Sequence, residues 1–300
     1  MTTVGLALPQ LGPVVSGPLL RDFAQEAERM GFAHLWVQDH FLYAVEQEGD
    51  YAGSASSQPA VYQSVFGPTE VLAAVATWTS TVELGTSILV GGNHWPAQLA
   101  QQLSTVDQLS GGRLTTVGLG VGWSHEEHRA VGVDPTTRGR RMDDFVPVLL
   151  ACWGEDPVEH HGPFFDVPRS IIRPKPVTPP RLMSGMWSAK GLARTAAQYD
   201  LWNPGSMPVA QAVDLLGSIN AQRPAGRDPV GVFYRVGLES TAGKRMTVDE
   251  VAQRVSECAA ADFEGVIVET NFCREIEAPE DWLKILASLG PVLEAGGVPE

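Results

Sequence analysis

Asp39 and His40 stand side by side directly after a short apolar run, His34–Val37, in the stretch GFAHLWVQDHF that spans residues 31–41. An imidazole exchanges its proton near neutrality, so a histidine held where a buried strand ends suits general acid–base work. The Asp-His pair fits proton or hydride chemistry. The plainer alternative is that Asp39 caps the next segment and His40 is an ordinary loop histidine.

Two further segments point to a ligand. In LSGGRLTTVGLGVGW, residues 109–123, a helix is expected to end at Gly111-Gly112, because glycine accepts the left-handed C-cap conformation. Gly118, Gly120 and Gly122 then alternate with Leu119 and Val121. Losing every second side chain near a strand end lets a flat ring approach the backbone, which makes Gly122 a candidate ring contact. Trp123, next in line, is the one tryptophan of eight read as a cofactor contact and not as core. The alternative is that these glycines relieve crowding inside a barrel. A dinucleotide loop fits less well, since the spacing is GxGxG and no acidic ribose partner follows.

In LMSGMWSAKGLARTAA, residues 182–197, a strand runs into a helix through Ser184-Gly185, and amides at a helix start form an anion site. Residues 167–199 contain no Asp or Glu but six basic residues, Arg169, Arg173, Lys175, Arg181, Lys190 and Arg194. In a chain of formal net charge −14 this reversal favours a phosphate-bearing ligand over a merely solvated basic face.

Other candidates carry less. His125 and His128 flank two glutamates three residues apart, whereas a zinc-protease helix needs a spacing of four, and no third ligand is evident, so no metal is expected. His160-His161 lies in a proline-rich stretch and is expected to be solvated. Neither a GxSxG elbow nor a P-loop occurs.

The elements that position these residues alternate. Eight strands are predicted at residues 4–8, 34–37, 82–89, 114–119, 181–184, 200–202, 230–238 and 265–269. Apolar stripes at helical spacing, such as Leu19, Phe23, Ala27 and Met30, or Leu99, Leu103 and Val106, lie between them. The last two helices are expected at residues 247–260 and 280–289. This pattern favours a single (β/α)₈ barrel over residues 1–300, with sites where strands end. Two stretches interrupt it: residues 42–66, polar and rich in Gly, Ser and Gln, after the second strand, and residues 154–180, rich in proline, before the fifth. Both are expected on the catalytic side, where they would set substrate selectivity. Residues 296–300 read as a frayed tail.

Composition narrows the partners. A sequence pI near 4.9 argues against nucleic acid, which needs clustered Lys and Arg. No apolar stretch approaches the roughly 20 residues that span a bilayer. Cys152, Cys258 and Cys273 show no metal-ligand spacing, and the N-terminus lacks a basic leader before its apolar run. A cytoplasmic protein with reduced thiols, a small-molecule substrate and no nucleic-acid or membrane partner is expected.

Four pieces, WVQDHF (36–41), LGTSIL (84–89), LSGGR…GLGVGW (109–123) and LMSGMWSAKG…AAQYDLW (182–202), resemble in order and spacing the bacterial luciferase-like oxidoreductases, (β/α)₈ enzymes that use FMN or the deazaflavin coenzyme F420. The resemblance covers nearly the whole chain. It implies a non-prolyl cis peptide at Ser87-Ile88 supporting the face of the ring. It also implies a phosphate cradle at Gly185, Met186 and Ser188, although Ser184-Gly185 stands where the family usually has two glycines. His40 would then be the proton donor or acceptor, and Asp39 a cofactor or orienting contact. The F420-dependent branch is the first expectation, an enzyme moving hydride to or from a small organic substrate. An FMN-dependent monooxygenase with a separate flavin reductase is the alternative, and a non-catalytic cofactor-binding protein a third. A phosphosugar enzyme without a redox cofactor fits less well, because the basic stretch flanks the fifth strand and not the seventh or eighth. The family commonly forms homodimers.

Overall fold

The computed structural model describes residues 2–48, 51, 57–205, 207–239 and 244–296. The chain opens with β1 (Thr3–Ala7), α1 (Gly17–Met30), β2 (His34–Val37), α2 (Pro68–Trp78), β3 (Glu83–Val90) and α3 (Pro96–Ser110). It continues through β4 (Leu114–Gly120), a short α4 (His125–Ala130), α5 (Arg138–Trp153) and a hairpin, β5 (Val158–His161) and β6 (Asp166–Ser170). Then come β7 (Arg181–Ser184), α6 (Ala189–Gln198), β8 (Leu201–Trp202), α7 (Val209–Ala221), β9 (Gly231–Gly237), α8 (Val248–Ala260), β10 (Gly265–Glu269), α9 (Pro279–Ser288) and α10 (Gly290–Gly296).

The eight strands other than the hairpin close into a barrel in the order β1-β10-β9-β8-β7-β4-β3-β2, and every neighbouring pair is parallel. This is a (β/α)₈ barrel with each predicted strand in place. Local chemistry sets its boundaries. Ser16 caps α1 by accepting from the Leu19 amide, and Gly31 ends that helix at φ 95°. Gly111 ends α3 the same way, at φ 71°. Leu19, Phe23 and Ala27 are buried along one face of α1, against the outer side of the strands. Inside the barrel, Trp36, Met183, Leu201, Phe233 and Ile267 form a packed plug with Ile88 against it.

Three expectations need correction. Residues 154–180 do not cover the catalytic side: α5 has already carried the chain back along the outside, and none of these residues lines the cavity described below. Instead the Asp144 carboxylate of α5 accepts from the Phe164 and Phe165 amides and sits 2.8 Å from His160 Nε2, pinning the hairpin to the helix. His160 is therefore held by a carboxylate and mostly covered, while His161 is exposed as expected. Gly296 is not tail but the buried last residue of α10; residues 297–300 lie outside the described set, as do residues 49, 50 and 52–56 of the segment after β2. Among the described residues, no helix is long and apolar enough to cross a membrane.

Candidate active site

The carboxyl ends of the strands open into a cavity of about 1420 Å³. It is lined by His40 and Asp39 after β2, by Ser87 and Ile88 of β3, by Gly122 and Trp123 after β4, and by Gly185, Met186 and Ser188 after β7. All nine candidate residues thus meet around one space.

Asp39 and His40 take different hydrogen-bond partners. The His40 ring sits with Nδ1 3.1–3.2 Å from both oxygens of Glu127, a buried carboxylate on α4. Glu127 also accepts from the amides of Phe41, at 3.0 Å, and Leu42, at 3.4 Å. A carboxylate can only accept, so Nδ1 is the nitrogen that donates to it, and Nε2 is left on the other side of the ring. Tyr62 meets the ring edge-on at a centroid distance of 4.6 Å and Trp123 flanks it at 5.4 Å, which fixes its orientation.

Asp39 turns the other way. Its carboxylate accepts from the Val90 amide at 2.9 Å and from His94 Nε2 at 2.7 Å. Burial alone would push this carboxyl up; the His94 ring and the Val90 amide outweigh that and hold it below its ordinary value. For His94 burial works downward and Asp39 outweighs it, so the imidazole is raised. The two form an ion pair that ties the end of β2 to the turn after β3.

The Ser87-Ile88 peptide is cis, at the position implied by the resemblance. The Ser87 hydroxyl donates to Asn203 Oδ1 at 3.0 Å, and its carbonyl accepts from Arg235 at 2.8 Å. Arg235 in turn is ion-paired with the buried Glu269, and burial, which works against its charge, is overridden by that carboxylate. These residues make a polar floor on the β8–β10 side, while Ile88 forms an apolar ledge on the β3–β4–β7 side.

That ledge revises the glycine reading. A Cβ on Gly120 would come within 2.0 Å of Ile88 Cδ1, one on Gly118 within 2.2 Å of the Thr86 carbonyl and 2.9 Å of Ile88, and one on Gly185 within 2.6 Å of Ile88. The glycines make room for a neighbouring side chain, the crowding alternative, and it is Ile88 that faces the cavity. Gly122 differs: its φ is 74°, and a Cβ there would strike Val90 at 2.6 Å.

The phosphate cradle also needs revision in detail. The Gly185 amide is spent on the Leu119 carbonyl, and the Met186 amide donates to Ser184 Oγ at 3.3 Å. Met186 is buried. What faces the cavity is the start of α6, where Ser188 Oγ caps the helix by accepting from the Gly191 amide at 3.1 Å. The amides of Ala189 and Lys190, first in that helix, have no carbonyl one turn back. The acid-free stretch is less available than its composition indicated. Arg173 and Lys175 pair with Asp156, Arg181 with Glu264, and Arg194 with Asp143. The acids that satisfy them lie in other segments. Of the six, only Lys190 and Arg194 line the cavity, joined there by Arg138 and Arg140 from the start of α5.

Glu127 and His94 are the functional-site residues missed in the sequence. Glu127 was visible as the fourth residue of Ser124-x-x-Glu, a capping-box spacing. The Glu127 amide does donate to Ser124 Oγ, at 3.2 Å, but its carboxylate is diverted to His40. His128, the other half of that motif, is fully buried with Nδ1 2.6 Å from Asn93 Oδ1. No cluster of metal-ligating side chains occurs among the described residues.

Residues 11–282 match the family described as luciferase-like monooxygenase. An uncharacterized protein of Mycobacterium tuberculosis is 31% identical over 211 residues, 68% of this chain and 74% of that one. The FMNH(2)-dependent dimethylsulfone monooxygenase of Pseudomonas putida is 28% identical over 254 residues, 82% of this chain and 64% of that one. An F420-dependent secondary alcohol dehydrogenase, solved with an F420-acetone adduct, superposes with a TM-score of 0.73 at 16% identity, covering 98% of this chain and 99% of its own.

Proposed function

The chain belongs to the luciferase-like monooxygenase family, and from that premise we propose a deazaflavin-dependent oxidoreductase that moves hydride between coenzyme F420 and a small organic substrate. One observation carries the reading: His40, anchored through Nδ1 to Glu127, presents Nε2 as its proton-exchanging atom beside the Ile88 ledge.

The lining fits such a cofactor. Ile88 offers a flat apolar rest for a tricyclic ring. Ser188, the first amides of α6 and the side chains of Lys190 and Arg138 offer donors and positive charge for a phosphate. Bound F420 supplies a ring carbon that accepts or gives hydride. The chain supplies the rest. His40 Nε2 takes the hydroxyl proton as an alcohol is oxidised and returns it as a carbonyl is reduced. Glu127 keeps the ring in the competent tautomer and steadies the imidazolium that forms. Tyr62 and Trp123 hold the ring's orientation through their contacts with it.

FMN shares the ring outline and the phosphate, and the Pseudomonas putida relative is named for reduced FMN. The test is a side-by-side calorimetric titration of the purified protein with F420 and FMN, followed by turnover assays. Selective F420 binding with oxygen-independent hydride transfer is expected. Selective FMN binding with oxygen consumption coupled to product would overturn the F420 assignment and call for a reductase partner. Binding of neither would overturn the cofactor site, and F420 binding without turnover would favour a carrier.

A further inference from the structure

The charged groups that line the cavity divide sharply by location. At the α5–α6 end, Arg138, Arg140 and Lys190 have no carboxylate within ion-pair distance among the described residues. On the opposite side the carboxylates and the guanidinium that line the space are matched within the chain, Arg235 with Glu269, Glu239 with Arg274 at 3.1 Å, Glu48 with Arg129 at 2.6 Å and Asp39 with His94, and the imidazoles of His40 and His125 line it besides. The first end offers a ligand unpaired cationic side chains, whereas the second offers imidazoles and charges that are already paired.

The walls of that second chamber are aromatic. Tyr51 stands edge-on to Trp123 at a centroid distance of 4.9 Å, and Tyr62 lies 5.8 Å from Phe272. The Tyr51 and Tyr62 hydroxyls are 3.0 Å apart and bond to each other. Burial raises both phenols above their ordinary range, so they stay neutral. Trp123 and Phe272 keep part of their surface open to the cavity. The His40 ring contacts both Tyr62 and Trp123.

We propose that this chamber binds an uncharged, ring-bearing alcohol or carbonyl compound, its ring against Trp123 and Phe272 and its oxygen toward His40 Nε2. A carboxylate, phosphate or ammonium group entering here would lose its water and find each opposite charge already occupied. A ring gains aromatic contact on two sides, and a single hydroxyl meets a single acceptor. The assignment rests on His40 being the proton-exchanging group of the proposed function and names the substrate class for that same site.

The test is binding, so its result does not depend on turnover. The full chain is titrated calorimetrically with benzyl alcohol, benzoate and benzylamine at matched ionic strength. The alcohol is expected to bind at least about tenfold more tightly than either ion, because an unmatched buried charge is penalised by well over that factor. Phe272→Ala, a change in the loop after β10, is expected to weaken the alcohol about fivefold, and Trp123→Leu to do the same independently. Benzoate or benzylamine binding as well as the alcohol would overturn the proposal. So would unchanged alcohol affinity in both variants. Should the alcohol bind as expected while neither F420 nor FMN supports turnover, the proposed reaction fails and the chamber assignment stands.

Discussion

The molecule contains two histidine–carboxylate pairs within a few residues of one another in space, and they do opposite jobs. In Asp39–His94 the carboxylate is buried and holds both an imidazole and the Val90 amide. In Glu127–His40 the carboxylate is equally buried, but the ring beyond it keeps Nε2 free beside the cavity. The first pair is closed to the cavity at its imidazole and braces the backbone; the second presents its imidazole there. The same two functional groups brace the backbone in one place and, on the proposed function, relay a proton in the other.

This contrast can be broken most directly at His40. Replacing it with Ala is expected to lower kcat by about 10²–10⁴-fold, the usual worth of a positioned acid–base group, with cofactor affinity nearly unchanged. Stopped-flow or steady-state turnover beside a binding titration reads both. Loss of cofactor binding with an unaltered kcat at saturation would assign His40 to the cofactor instead. Glu127→Gln is next: the side-chain amide oxygen still accepts from the Phe41 backbone, but the charge is gone, and kcat should fall about 10–100-fold with an altered pH–rate profile. A kcat and pH profile identical to the parent would reduce Glu127 to a backbone staple.

The closed pair should behave otherwise. His94→Gln is expected to cost about 2 kcal/mol of stability at pH 6, the scale of a charge-assisted hydrogen bond, and to leave kcat within about threefold of the parent. The pH dependence follows from the two shifts. Raised in the folded state, His94 contributes fully below its ordinary value near 6.5, and the contribution fades as pH rises through the higher folded value. Asp39 is held low, so its contribution persists above its ordinary value near 4 and is lost only as pH falls through the depressed one. Between roughly pH 4 and 6.5 the brace is complete, and the parent-to-variant difference in denaturant midpoint should shrink toward pH 9. A difference that is flat from pH 6 to 9 would mean the pair is not ionised. The smallest expected effect lies at the α6 end, where Lys190→Ala should weaken cofactor binding several-fold, and less so at high salt, without touching kcat.

The sequence made the scaffold readable because its strands are short apolar runs set off from the helices before them, as by Gly31 between α1 and β2 or Gly111 between α3 and β4. Site membership was readable for a related reason: residues just past strand ends converge in a parallel barrel. Partnership was not. Asp39 and His40 are adjacent in the chain, yet their partners lie 55 and 87 positions away. The glycines after Val117 showed where side chains were missing but not that Ile88, on the neighbouring strand, fills the gap. The basic stretch likewise looked unbalanced only because Asp143, Asp156 and Glu264 stand outside it. The hairpin of residues 158–170 escaped notice because its strands are four and five residues long and carry histidines and a proline. Its place on the outside of α5 follows from topology that a linear reading mistook for a lid.

Ile88 has one more consequence. A Cβ on Gly120, at the end of β4, or on Gly185, just past β7, would meet Ile88 first, so the barrel wall there is a hollow occupied by one movable group. Shortening that group to alanine would release the hollow as a connected trough at the cavity's edge, with no other change to the wall. The width of the cavity at this edge is thus set by one side chain, and a shorter residue at position 88 would enlarge it while the glycines stay as they are.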